Sequence, residues 1–210
     1  MKTLCLIIIV ITFNQLTTES CPVIFKEKAT VDSISEKAKK LKSLYMLSIG
    51  SIEVRDIYQK QFFDEFPKTF RELNELYGYD WDKHKGASIL YYEAGKHIRE
   101  LFNDLDNIND TLYYKKIIGI AIDGHWDADA VNFFQYGLRN RTEAKPELIT
   151  FILKTMPENQ IRSFWYFYFD GAHPKKIINE PLQKIKSFNL KIYNLMLQVH
   201  HEVIVNTEEH

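Results

Sequence analysis

"TLYYKKIIGIAIDGHWDADAVNFFQYGLRN", residues 111–140, decides how this chain is built. Its first half allows two readings. "IIGIAI" (117–122) is a short apolar run, and such runs suit a buried strand or a buried helix segment. The residues around it settle the choice. Tyr113, Ile117 and Ala121 recur every fourth position, and no second strand-like run lies near enough to pair with it. The second half continues the helical period, with Val131, Phe134 and Leu138 on one side. Between them "AIDGHWDADAVN" (121–132) reads as a joint. Gly124 would supply the left-handed conformation that ends one helix, and Asp127 or Asp129 would cap the next.

The same period extends outward in both directions. "SISEKAKKLKSLYMLSIG" opens with Ser33 and Glu36 at capping-box spacing and aligns Ile34, Ala38, Leu41 and Tyr45. Pro67 suits the first turn of a helix carrying Phe70, Leu73 and Tyr77. Tyr91, Ala94, Ile98, Leu101 and Leu105 form another stripe, followed by a helix that Asp110 can cap. "ENQIRSFWYFYF" carries aromatic rings on every face, the mark of a helix either buried all round or covered by a partner. Asn189 is placed to cap "LKIYNLMLQVHHEVIV". The spacing predicts one all-α domain over residues 33–210, with eight to ten helices joined by short turns.

Two architectures fit that prediction. "YGYDWDKH", "AIDGHWD" and "YFDGAHP" each end a helix, and their Asp80, Asp123 and Asp170 lie 43 and 47 residues apart. Repeats of about 40–47 residues stack into helical solenoids. An irregular, solenoid-like repeat would set the three joints along one edge; an orthogonal bundle is the alternative.

The N-terminus reads as an export signal. Lys2 precedes the apolar run "LCLIIIVITF", which has the length of a signal h-region and half that of a membrane span. Thr18 and Ser20 are the small residues before a cleavage point at Cys21, so residues 1–20 are expected to be removed. Cys5 goes with them, leaving Cys21 alone and the mature monomer without an internal disulfide. A cysteine at a mature N-terminus can carry a lipid, although Glu19 departs from the usual small-residue pattern. Lipidation and plain cleavage both stay open, and residues 21–32 read as a tether. The net charge of −1 offers no basic excess for a phosphate backbone, which argues against nucleic acid as a partner. The 45% hydrophobic content is that of a folded core.

The joints carry the candidate chemistry. Asp123, His125, Asp127 and Asp129 alternate as oxygen and nitrogen donors. Counted from Asp123, however, the calcium-loop glycine and its final glutamate are missing, and one histidine is too few for a zinc site. Asp170 and His173 could form an acid–base pair, or merely flank a helix stop at Gly171 and Pro174. Glu93, His97 and Glu100 share a stripe at a spacing that departs from the Glu-x-x-His of di-iron bundles, and read as a solvated face. His200, His201 and Glu202 lack the metalloprotease pattern, and no hydrolase elbow, phosphate loop or dinucleotide fingerprint occurs. No cofactor and no metal is expected.

From "FFDEFPKTFRELNELYGYD" through "AIDGHWDADAVNFFQYGLRN" to "SFWYFYFDGAHP" the chain resembles a group of exported bacterial proteins. The resemblance implies a cell-envelope setting and no catalytic residue. The first expectation is therefore a non-enzymatic protein-binding module, exported to the periplasm or anchored as a lipoprotein. Its partner would be another envelope protein, with a lipid on Cys21 as its one route to the membrane. One concrete form is an immunity-type protein that blocks an incoming toxin. Its binding surface would hold Trp81, His84, Asp123, His125, Trp126, Asp127, Asp170 and His173. The alternative is an envelope hydrolase or metal-dependent enzyme built from the same Asp and His groups.

Overall fold

The computed structural model describes residues 22–50, 52–81, 86–103, 105, 107–127 and 129–208, with side chains described from Ser33 to Thr207. The signal segment, Cys21 and His84 lie outside them. The architecture is all-α, as the periodicity predicts. The helices are α1 (Pro22–Ser48), α2 (Ile52–Glu65), α3 (Phe70–Tyr77), α4 (Ala94–Phe102), α5 (Asp110–Ala121), α6 (Ala130–Ala144), α7 (Pro146–Leu153), α8 (Glu158–Phe169), α9 (Glu180–Gln183), α10 (Ile185–Phe188) and α11 (Leu190–Glu208). Only Lys184 separates α9 from α10, so the two act as one kinked unit, giving ten helical units among the described residues. "IIGIAI" is helical up to Ala121.

Chain order governs much of the packing. α1 and α2 form an antiparallel hairpin, the helices α3, α5 and α8 that precede the three joints lie side by side in that order, and α4 lies against α6. α11 closes over α8. Phe164, Trp165 and Phe167 of α8 are fully buried, and Tyr168 and Phe169 nearly so. Tyr166 alone among the rings of α8 reaches solvent. Each fully buried ring of this size contributes about 1.5–3 kcal/mol by leaving water.

Several local expectations are corrected. α1 starts at Pro22, so Ser33 sits inside a helix and is no cap, and the backbone of the expected tether is helical from residue 22 to 32. Nothing in "FKEKATVD" breaks a helix, and proline is well placed at a first turn. Pro67 lies before α3, whose cap is Thr69, accepting from the Glu72 N–H at 3.2 Å. Asn109, one residue before Asp110, caps α5 by accepting from Thr111 and Leu112. Asp110 instead pairs with Lys145 at 2.6 Å. A two-residue antiparallel ladder, Tyr79–Asp80 with Gly86–Ala87, was not foreseen, because strands that short leave no alternating pattern. Asn189 caps α11 as expected, accepting from Ile192 at 3.1 Å.

The stripe Glu93–His97–Glu100 is not a solvated face. His97 is 0% exposed and Glu100 3%. His97 stands in a box of rings, with Tyr45 at 4.7 Å, Phe62 at 5.6 Å and Tyr77 at 5.8 Å between centroids. Its Nδ1 is 3.0 Å from the Tyr77 hydroxyl. Glu100 is held by amides: Gln59 donates to one oxygen at 2.9 Å and Asn103 to the other at 3.1 Å. The hairpin of α1 and α2 covers what α4 alone would expose, and a helical wheel of one segment cannot register that cover.

Candidate functional site

The second joint is built by its neighbours. Asp123, not Gly124, takes the left-handed turn, at φ 59°. Its backbone N–H donates to Ser163 Oγ of α8 at 2.7 Å. Gly124 is needed for space, since a Cβ there would fall 2.6 Å from the Phe167 ring. His125 is exposed but lies edge-on to Phe70, centroid to centroid 4.8 Å. Asp129 precedes α6 with φ 56° and ψ −109°, and its side chain makes no cap. Its carboxylate accepts from the Tyr91 hydroxyl, which it raises to about 12. The expected cap at Asp129 is thereby diverted across the molecule. Asp127 is half-buried within the same joint.

Asp170 ties the second joint to the third. One carboxylate oxygen accepts the Trp126 N–H at 2.5 Å and the other accepts the Gly171 N–H at 3.0 Å. Its carbonyl accepts from Gln135 Nε2 at 2.7 Å and from Arg139 Nη2 at 2.8 Å. Gln135 also donates to the Phe167 carbonyl, and Arg139 Nε to the Tyr168 carbonyl. The carbonyls that every helix leaves over at its C-terminus are here taken up by two side chains of α6. Burial draws the Arg139 guanidinium below its ordinary value, against the pull of Tyr168 and of the Asp170 and Glu143 carboxylates.

His173 goes elsewhere. It is exposed at the rim of a small cavity of about 80 Å³, beside Arg139, Glu143, Tyr168 and Asn179. Glu143 accepts from Tyr168 and Asn179, both at 2.8 Å, and their bonds hold the floor of that cavity. Asp170 and His173 form no pair. Among the described residues no group of three or more His, Cys, Asp or Glu side chains could hold a metal ion.

Trp81 is 67% exposed and Trp126 37%. Trp81 leans on Tyr79 at 4.3 Å, Tyr79 meets Tyr91 at 5.6 Å, and Tyr91 meets the 86%-exposed Tyr92 at 5.2 Å. Since Tyr91 also holds Asp129, the first joint reaches the second through this row of rings. Contacts thus link Trp81 to Asp129 and, separately, Trp126 to Asp170.

A cleft of about 580 Å³ between α4 and α6 opens beside that row, and the joint motifs give no hint of it. Gly95 faces the Phe133 ring and Gly137 faces Phe102, so the two helices run parallel and close together. A Cβ on Gly137 would lie 2.3 Å from Phe102. The signal that finds the cleft is the mid-helix glycine of "FFQYGLRN", because such a glycine costs about 1 kcal/mol and needs a packing reason.

Comparison of the chain with protein-family models, curated proteins and solved structures finds no match. Among the described residues no helix is long and apolar enough to cross a membrane. Replacing Asp170 by alanine is expected to cost about 1–2 kcal/mol of stability, because two backbone donors lose a charged acceptor. Trp126 emission should shift to the red in the same variant. Asp170→Asn should lose less, as its amide oxygen still accepts. Equal losses in the two variants, measured by urea unfolding, would contradict the role given to the carboxylate.

Proposed function

We propose that this protein is an exported, non-enzymatic protein-binding module of the cell envelope, docking its partner on the row of rings that borders the second joint. One observation carries the reading: Trp81 and Tyr92 stand 67% and 86% exposed, each resting on a ring of the row. Rigid aromatic side chains lose little entropy on binding and dominate the energy of protein interfaces. Three of the acidic and imidazole groups of the joints have structural employment instead. Asp170 bonds two backbone donors, Asp129 receives Tyr91, and His125 packs on Phe70. An enzyme made of these groups requires them around one pocket. His173 faces a different cavity from the one beside α4. The immunity-type form, with a toxin as partner, is one instance of this reading; nucleic acid is not, given the net charge of −1.

The test is site-directed photo-crosslinking in the native envelope. A crosslinking residue at position 81 or 92 should give one discrete adduct, and one at the exposed Gln198 should give none. Trp81→Ala with Tyr92→Ala should then weaken the identified partner by tenfold or more, as expected when hot-spot rings are truncated. Identical adducts at position 198, or none at 81 and 92, would overturn the reading.

A further inference from the structure

The cleft between α4 and α6 has two rims of matching spacing. On α4 and the residue that caps its end the rim is Gly95, Arg99 and Asn103; on α6 it is Asn132, Tyr136 and Asn140. Each set recurs at i, i+4 and i+8, so each forms a straight ridge on its helix. Ile98, Phe102 and Phe133 make an apolar floor. Three arginines line the cleft, Arg99, Arg139 and Arg141, and no carboxylate does among the described residues. Arg139 and Arg141 are anchored on backbone carbonyls, of Tyr168 and Asp170 in one case and of Phe102 and Asn103 in the other. Arg99 is exposed and makes no ion pair with a described residue.

We propose that this cleft holds an extended acidic segment of the partner polypeptide, with a carboxylate on Arg99 and a neighbouring apolar side chain between Phe102 and Phe133. The inference deepens the protein-binding reading and rests on it. Charge complementarity argues for the carboxylate, since a guanidinium takes a carboxylate through paired N–H donors. Three asparagines on the rims offer both donors and acceptors, which a peptide backbone needs and a simple anion does not. The α4 ridge from Gly95 to Asn103 is about 12 Å long, room for three or four extended residues. The volume of about 580 Å³ falls within the usual range of ligand clefts. The exposed Tyr136 edge and the row ending at Tyr92 would flank the segment, so the cleft continues the docking face through Asp129, whose carbonyl starts α6 by accepting the Phe133 N–H.

The probe is a blocked fluorescent pentapeptide, acetyl-Asp-Leu-Asp-Phe-Glu-amide, titrated by anisotropy against the full-length mature protein. Its amide counterpart, acetyl-Asn-Leu-Asn-Phe-Gln-amide, and a trigalacturonate serve as comparisons. The acidic peptide should bind at least tenfold tighter than either. Arg99→Glu should weaken it tenfold or more, Arg99→Lys only a few-fold, and Tyr136→Ala about tenfold. Both positions are exposed, so the thermal midpoints of the three variants should stay unchanged and report intact folding. Failure of the acidic peptide to outbind its amide counterpart overturns the inference, as does equal binding to Arg99→Glu. Tighter binding of trigalacturonate would replace the peptide by an acidic glycan. If the crosslink at position 81 persists while the peptide results fail, the cleft assignment falls alone; if both fail, the protein-binding reading falls with it.

Discussion

Phe167→Ala should lower the free energy of unfolding by about 3–5 kcal/mol, a large part of the 5–15 kcal/mol that holds a domain of this size. The ring is 0% exposed and sits where three helices and a joint meet. Phe70 lies against it at 5.8 Å and Phe134 at 6.1 Å. Gly124 passes over it so closely that no Cβ fits between. Truncation removes the transfer energy of the ring and leaves a void that rigid neighbours cannot fill. The loss should also be felt at the surface, because the turn at Asp123–Trp126 rests on this ring. Urea unfolding gives the magnitude, and Trp126 emission gives the local effect. A loss below about 1 kcal/mol would mean that the core can close over the gap, contrary to the packing described.

Acid should destabilise the protein through His97 before its carboxylates titrate. Burial holds His97 down at about 4, with Lys42 and Lys96 pushing the same way and Glu93 opposing. An unfolded histidine titrates near 6.5. Between those values the unfolded chain binds a proton that the folded chain refuses, so stability rises with pH across this window. The contribution is complete above about pH 6.5 and is lost as the pH falls to about 4. Its size is at most about 3–4 kcal/mol, from the difference between the two values. His97→Phe keeps the ring among Tyr45, Phe62 and Tyr77 and removes the titration. That variant should be less stable at pH 7, because the buried Tyr77 hydroxyl loses its partner, and its stability should be nearly flat from pH 6.5 to 5. A wild-type slope equal to that of the variant over this interval would show that His97 does not govern it.

The fold was legible because long helices write their period into the chain. "ENQIRSFWYFYF" and the run ending at Ala121 both fold as their spacing predicts. What misled was local chemistry that depends on a distant partner. Ser33 and Glu36 have capping-box spacing, yet the chain before them is already helical. Asp129 has the right identity and place for a cap, but Tyr91, 38 residues away, takes its carboxylate. Gly124 stands where a left-handed residue is usual, but Asp123 supplies the turn and Phe167 explains the glycine. Glu93–His97–Glu100 has the pattern of a solvated stripe on α4 alone, but α1 and α2 cover His97 and Glu100. The candidate surface was legible in part. Trp126 and Asp170 are in contact, Trp81 reaches Asp129 of the same joint through Tyr79 and Tyr91, His173 turns away to its own cavity, and His84 lies outside the described residues. The cleft was missed because its two rims are separated by some thirty residues and neither is apolar enough to draw notice.

The meeting of Gly137 with the Phe102 ring has a kinetic meaning as well as a steric one. A side chain at that contact would hold the helices apart; its absence sets their separation once, during folding. On the proposed reading, a segment docking in the cleft would meet walls already held at this separation. Binding to so preorganised a surface loses little to conformational adjustment. Related partners should then associate at similar rates, and the differences between them should lie in how long each stays.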